Sequence, residues 1–306
     1  MPRDRDVTVH VTCSVQPTSV PHAAVALHSL LARAGDERVA VHCLHPPGLP
    51  DELADPLGAM VEDRGGGIAF VEVPDELVEG LTEADGTRVM WYRLFMPDLL
   101  PQLDRVIHLD SDAVVTDSLA PLWATELGDR HLAAVTNVFQ ADHAHHPGRL
   151  GLPANAYFND GVLVMNLAAM RRDASSATLR EYGVTHPDLP WVDQDVLNAV
   201  LWESRVELHP RWNCMNSFFV FPWSAEIFGA DVVEEARRRP AVRHFEGPGP
   251  NKPWHYMCER PMRELYFEHR RHTPWPTVRL DGATPANRAR RLVRAARRGG
   301  PARTGA

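Results

Sequence analysis

The sequence predicts an α/β chain built on a Rossmann-like, mostly parallel central sheet flanked by helices. Three observations predict it. Short β-rich segments alternate with helix-patterned ones through the first quarter of the chain, an order that implies parallel strands joined by right-handed crossovers. An apolar run at 105–109 then leads directly into Asp110-Ser111-Asp112, as expected of a buried strand opening on a cleft. The chain has 306 residues, 44% hydrophobic and 24% charged, enough apolar material for a substantial core.

Residues 7–13 (VTVHVTC) alternate and read as the first strand. A polar turn follows, and Pro21 suits the first turn of a helix running to about residue 34, with Val25, Leu27, Leu30 and Leu31 as its packing face. Residues 39–44 and 68–73 read as the next two strands, with a helix over 50–62 between them. Gly65-Gly66-Gly67 leads into a strand rather than a helix, so it is read as a turn and not a phosphate loop. A short helix carrying Trp91, Tyr92 and Arg93 precedes the Asp110-Ser111-Asp112 strand. Further strands are expected at 131–138, at 157–167 and at 241–245, and a helix begins at Asp193. Between them, residues 140–155 form a His- and Pro-rich stretch holding His143, His145 and His146, read as a mobile, solvated loop. Gly161 inside an apolar strand marks a close approach by a ligand or another backbone. The aromatic segment 211–223 is irregular, and reads as core or as an acceptor-facing wall.

One domain is expected over 1–276, with halves at about 1–125 and about 126–276. Residues 277–306 form a basic, flexible tail. The net charge is −8, yet seven arginines and no acidic residue lie between Arg288 and Arg303, so the body is more acidic still and unsuited to general nucleic-acid binding. The four cysteines are widely spaced and read as reduced and buried. With no signal-peptide pattern and no bilayer-length apolar run, a cytoplasmic location is expected.

Two carboxylates one residue apart repel each other unless a cation or a proton lies between them. Hard oxygen ligands suit Mg²⁺ or Mn²⁺ shared with substrate phosphates. Two enzyme classes place Asp-x-Asp after an apolar strand: nucleotide-sugar glycosyltransferases and aspartyl-nucleophile phosphatases. The latter need a lysine and a later acidic pair, and carry their motif near the amino terminus; no counterpart is visible here.

Five motifs decide between them: Tyr92-Arg93-Leu94, Leu109-Asp110-Ser111-Asp112, Tyr157-Phe158-Asn159-Asp160-Gly161-Val162, Asp193-Gln194-Asp195, and His244-Phe245-x-Gly247 with Lys252-Pro253-Trp254. In this order the chain resembles glycosyltransferase family 8, retaining nucleotide-sugar transferases that include lipopolysaccharide galactosyl- and glucosyltransferases and glycogenin. The resemblance covers residues 7–254 and implies a GT-A-type nucleotide-binding fold. It implies a divalent metal held by Asp110, Asp112 and His244, and with imidazole among the ligands Mn²⁺ is expected over Mg²⁺. It places Asp110, Ser111, Gly247 and Lys252 on the donor nucleotide, and Arg93, Asn159, Asp193 and Gln194 around the donor sugar. Gln194, an amide, is a poor nucleophile, so same-face substitution is favoured over a covalent intermediate.

One departure stands out. Where the family carries Asp, Asn and Tyr against the nucleoside, this chain has Gln16, Thr18 and Ser19. Gln16 can pair with a uracil edge, so a UDP-hexose donor and a hydroxyl acceptor are expected. The competing expectation is a nucleotide- or carbohydrate-binding protein on the same fold with little or no turnover. The Arg-rich tail is expected to make weak contact with anionic membrane at the inner face, because it has a broad cationic face and few large apolar residues.

Overall fold

The computed structural model describes residues 7–84, 86–277 and 279–298. Nine strands form: β1 Thr8–Ser14, β2 Arg38–His45, β3 Gly67–Glu72, β4 Arg105–Leu109, β5 Ala113–Val115, β6 Leu132–Thr136, β7 Phe158–Asn166, β8 Arg205–Glu207 and β9 Val242–His244. Seven build one sheet in the order β3-β2-β1-β4-β7-β6-β8, and β5 pairs with β9 in a separate two-stranded ribbon. Strands β1 to β4 run parallel, as the alternating pattern predicts.

Beyond β4 the direction changes. Strand β7 is antiparallel to both β4 and β6, and β8 is parallel to β6. A strand buried on both faces has the same apolar run in either direction, and eight of the nine β7 residues are buried. The resulting mixed sheet spans residues from both expected halves of the chain.

Helix Val20–Leu31, with Pro21 in its first turn, covers one face through Ala23, Leu27 and Leu30 against Val9, Val11 and Cys13. The opposite face is covered by the 3₁₀ turn Val89–Phe95 and by helix Val192–Leu201. Trp91, Leu94, Phe95 and Leu197 pack there on Val106 and Met165. Both faces of β4 are thereby sealed, and its polypeptide emerges only at the carboxyl edge. All four cysteines are buried and free. No helix among the described residues is long and apolar enough to cross a membrane.

Two sequence expectations are corrected. Residues 140–155 are not simply a solvated loop: a short helix, His146–Arg149, forms there with His146 buried. In the tail read as flexible, residues Pro285–Arg298 form a helix. The segment before it is held by backbone bonds from Tyr256 to Asp281 (2.8 Å) and from Asp281 to Trp254 (3.1 Å). Residues 299–306, with Arg303, lie outside the described residues.

Candidate active site

Strand β4 stops at Leu109. The Asp110 N–H bonds to the Gly161 carbonyl at 2.9 Å, and Ala113 N–H turns back to the Asp110 carbonyl at 3.2 Å. That turn throws both carboxylates out at the carboxyl edge of the sheet. Strand β5 then pairs antiparallel with β9 so that Ala113 stands opposite His244. The register brings a residue far along the chain beside Asp112.

Oxygens of Asp110 and Asp112 and a ring nitrogen of His244 all lie within 4.8 Å of one another, the sole such metal-ligating group among the described residues. His244 Nε2 is 3.1 Å from Asp112 Oδ1 and 3.8 Å from Asp110 Oδ2. Its Nδ1 faces Asn213 Oδ1 at 2.9 Å. The amide oxygen only accepts, so Nδ1 carries a proton, and Nε2, which faces the carboxylates, is the nitrogen that would ligate a cation. Gly161 makes the space: a Cβ there would lie 2.2 Å from His244 Cε1 and 2.9 Å from Asp110 Oδ2. The two carboxylates and the imidazole therefore fit a small divalent cation with positions left for phosphate oxygens. The three clustered histidines of the 140–155 stretch do not form a metal group.

Arg93 is the electrostatic hub. Its guanidinium meets Asp110 at 2.8 Å, Asp193 at 3.0 Å and Asp160 at 3.1 Å, and donates to the Asp160 carbonyl at 2.7 Å. It is buried, not a surface ion-pair partner. Burial alone would raise the pKa of Asp110, but Arg93 and a hydrogen bond from His108 hold it well below the usual carboxylate range. Asp112 is likewise opposed by burial and drawn down to about 2, chiefly by Lys252 and His244. Lys252 Nζ contacts Asp112 Oδ2 directly. Burial raises Asp193 well above its ordinary value despite Arg93, with the neighbouring Asp160 adding to the shift, and burial raises Asp160 as well. His244, disfavoured as a cation by burial, is raised on balance by Asp112 and Asp110.

A chain of hydrogen bonds runs away from His244. Asn213 Nδ2 donates to Asn159 Oδ1 at 2.7 Å, and Asn159 Nδ2 donates to Gln194 Oε1 at 2.9 Å. Gln194 Nε2 then donates to the Tyr157 hydroxyl at 3.1 Å. Gln194 leaves helix Val192–Leu201 from its first turn, just after Val192, a β-branched residue at φ +47°. Such a conformation persists only where its surroundings over-determine it. Beside Asn159 and Gln194 opens a cavity of about 600 Å³ walled by Phe139, Trp191, Phe221 and Glu246.

Asp110, Asp112, Arg93, Asn159, Asp193, Gln194, Lys252 and His244 are thus joined by direct contacts, a carboxylate–imidazole pair or the hydrogen-bond chain. Ser111 lies in the turn between the two carboxylates, and Gly247, at φ +86°, in the loop after β9. Gln16 sits past the end of β1, where its N–H bonds to Ser19 Oγ at 3.0 Å and its carbonyl accepts from the same hydroxyl at 3.1 Å. Sequence reasoning missed His108, whose Nδ1 lies 3.2 Å from Thr12 Oγ1 and whose Nε2 donates to Asp110 Oδ1 at 3.2 Å. Its position two residues before Asp110 in a strand, hence on the same face, was the available signal. Asn213, Asp160 and Tyr157 were also missed as site residues.

The sequence profile of glycosyl transferase family 8 matches residues 10–258. The chain belongs to glycosyltransferase family 8. It is 27% identical to general stress protein A of Bacillus subtilis over 281 residues, covering 90% of this chain and 97% of that one. It is 28% identical to the lipopolysaccharide glucosyltransferase WaaO of Escherichia coli, covering 67% of this chain and 60% of WaaO. Among solved structures, the galactosyltransferase LgtC in complex with donor and acceptor sugar analogs superposes with a TM-score of 0.77 at 27% identity, covering 89% of this chain and 98% of LgtC. The family 8 fold is thus the GT-A fold of these transferases, and the chain is a glycosyltransferase.

Proposed function

We propose that the chain is a Mn²⁺-dependent, retaining hexosyltransferase that moves a hexose from UDP-hexose to a hydroxyl acceptor, with Mg²⁺ as the alternative metal. The observation that carries this reading is the meeting of Asp110, Asp112 and His244 with Lys252 at the carboxyl edge of the sheet, beside a cavity of acceptor size. Asp110, Asp112 and His244 would hold the cation, whose Lewis acidity would stabilise the departing nucleoside diphosphate. Lys252, freed from Asp112, would neutralise a diphosphate oxygen as a point charge, and Gly247 would let the backbone approach it. Ser111 and Gln16 would complete the nucleotide side.

Arg93 acts through the carboxylates it gathers, orienting Asp110 toward the metal and Asp193 toward the sugar. Gln194 Oε1 is occupied by Asn159 Nδ2 and by Asp160 N–H at 3.3 Å. A bonded amide oxygen is poorly placed to attack an anomeric carbon, which favours same-face substitution with the leaving diphosphate taking the acceptor proton. Phe139, Trp191 and Phe221 suit stacking on a saccharide acceptor.

A second reading, nucleotide or carbohydrate binding without turnover, draws on the altered loop at Gln16, Thr18 and Ser19. The complete ligand set at Asp110, Asp112 and His244 favours catalysis. The tail helix exposes Arg288, Arg290, Leu292 and Val293, which supports weak, salt-sensitive attraction to anionic membrane. Thermal shift with Mn²⁺ and UDP, GDP or dTDP tests the donor. UDP at a hundredfold its Kd should stabilise by about 2.7 kcal/mol, and a larger shift with GDP would overturn the uridine assignment. Co-sedimentation with anionic vesicles at low and high salt, full-length against truncated at Asp281, tests the tail.

A further inference from the structure

We propose that His146 is a positioning residue for glycosyl transfer: through Asp195 and Tyr157 it fixes which way the Gln194 amide faces, and it ties the wall of the acceptor cavity to the transfer centre. The inference rests on the transfer reaction proposed above.

Asp195 is wholly buried and has three partners. His146 Nε2 lies 2.7 Å from Oδ1, the Tyr157 hydroxyl 2.5 Å from the same oxygen, and the Trp191 N–H 3.0 Å from Oδ2. A carboxylate only accepts, so each of these three groups must donate. Tyr157 has one proton, and burial beside Asp195 keeps it on the hydroxyl. With that proton given to Asp195, the hydroxyl oxygen can only accept from Gln194, so it takes the bond from Nε2. The amide then has a single orientation, Nε2 toward Tyr157 and Oε1 toward Asn159 and Asp160. The same direction passes on through Asn159 and Asn213 to the Nδ1 of His244. Every member has one direction of donation, so the polarity set at Asp195 is inherited along the whole chain.

His146 holds the far end. Removing its N–H leaves Asp195 Oδ1 to Tyr157 alone, so the carboxylate loses one of its three anchors and no longer holds the Tyr157 hydroxyl, and with it the Gln194 amide, in one direction. His146 also packs edge-on against Trp191 at 4.0 Å and near Phe139 at 5.8 Å, both walls of the acceptor cavity, and it shares its loop with His143 and Gln140, which line the same space. The His-rich stretch therefore touches both the acceptor side and the amide at the transfer centre.

Four variants test this: His146→Ala, His146→Gln, Tyr157→Phe and the His146→Ala/Tyr157→Phe double. The expected result is a fall in kcat of about 10- to 100-fold for each Ala or Phe change. The Kd for UDP with Mn²⁺ should stay within about twofold, and His146→Gln, which keeps a donor, should recover most of the loss. The double variant should be no worse than the poorer single one, in kcat and in urea unfolding alike, because both changes break one relay. Independent multiplication of the two losses would overturn the proposal, as would a kcat for His146→Ala near wild type or a loss confined to nucleotide Kd. If His146→Ala does not fold, His146→Leu takes its place in the cycle, and a kcat for Tyr157→Phe near wild type would by itself overturn the proposal. Absence of wild-type turnover would count against the transfer reaction, whereas additive unfolding free energies would count against the relay.

Discussion

The Nδ1 of His244 donates to Oδ1 of Asn213 at 2.9 Å, and this single bond decides which imidazole nitrogen faces the carboxylates. Asn213→Ala should therefore leave the fold intact but let the ring take either tautomer. The expected outcome is Mn²⁺ affinity lowered by about 10- to 100-fold. Calorimetric titration of Mn²⁺ in the presence of UDP checks it, and unchanged affinity would show that the bond does not orient the ligand.

Gly161 has no room for a side chain. A methyl group there meets the His244 ring and the Asp110 carboxylate at distances real Cβ atoms do not show. Gly161→Ala should displace one ligand, abolish metal binding and destabilise by about 1–3 kcal/mol. Wild-type metal affinity in this variant would mean that the strand, not the ligands, gives way.

Lys252 is the counter-charge of Asp112 before any nucleotide arrives. Lys252→Met should tighten Mn²⁺ binding to the nucleotide-free protein, because Asp112 loses a competing cation. It should also weaken UDP binding in the presence of Mn²⁺ by about tenfold, the loss of one charge-assisted contact. Two titrations read these opposite changes, and a parallel loss in both would contradict the shared role.

Away from the site, burial, with neighbouring arginines or histidines, lowers His28, His42 and His269 to about 4. An unfolded histidine titrates near 6.5. Between about pH 6.5 and 4 the unfolded chain therefore binds more of these protons than the folded one, and their contribution to stability is lost as pH falls. His28 lies against His269 at 2.9 Å and stacks on His272. His28→Leu should make the fall in melting temperature across that window shallower than in wild type. The comparison cancels the carboxylates, among which Asp193, raised by burial, works in the opposite sense. Identical slopes would remove His28 from the account.

Much of this was legible in the residues. The alternation of strand and helix patterns located β1 to β4, and the run into Asp110-Ser111-Asp112 placed the turn at the sheet edge where it is found. Hydrophobic patterning is blind to direction, so the reversal at β7 was not visible. His108 was hidden inside an apolar run because only the strand geometry shows that it shares a face with Asp110. Asn213 and His146 reach the site through long-range register and a loop fold, and neither has a local sequence signature. The Gly161 close approach was foreseen, but its partners, the His244 ring and the Asp110 carboxylate, are neither a ligand nor another backbone.

The measurement that tests the central claim most directly is turnover of UDP-hexose with Mn²⁺ by wild type, by wild type with EDTA, and by Asp112→Ala. If Asp110, Asp112 and His244 hold a catalytic metal, wild type releases UDP, and EDTA and the substitution each reduce the rate by about a thousandfold or more, the scale on which charge stabilisation of a leaving group operates. Equal rates in wild type and Asp112→Ala, or a rate indifferent to EDTA, would contradict the account.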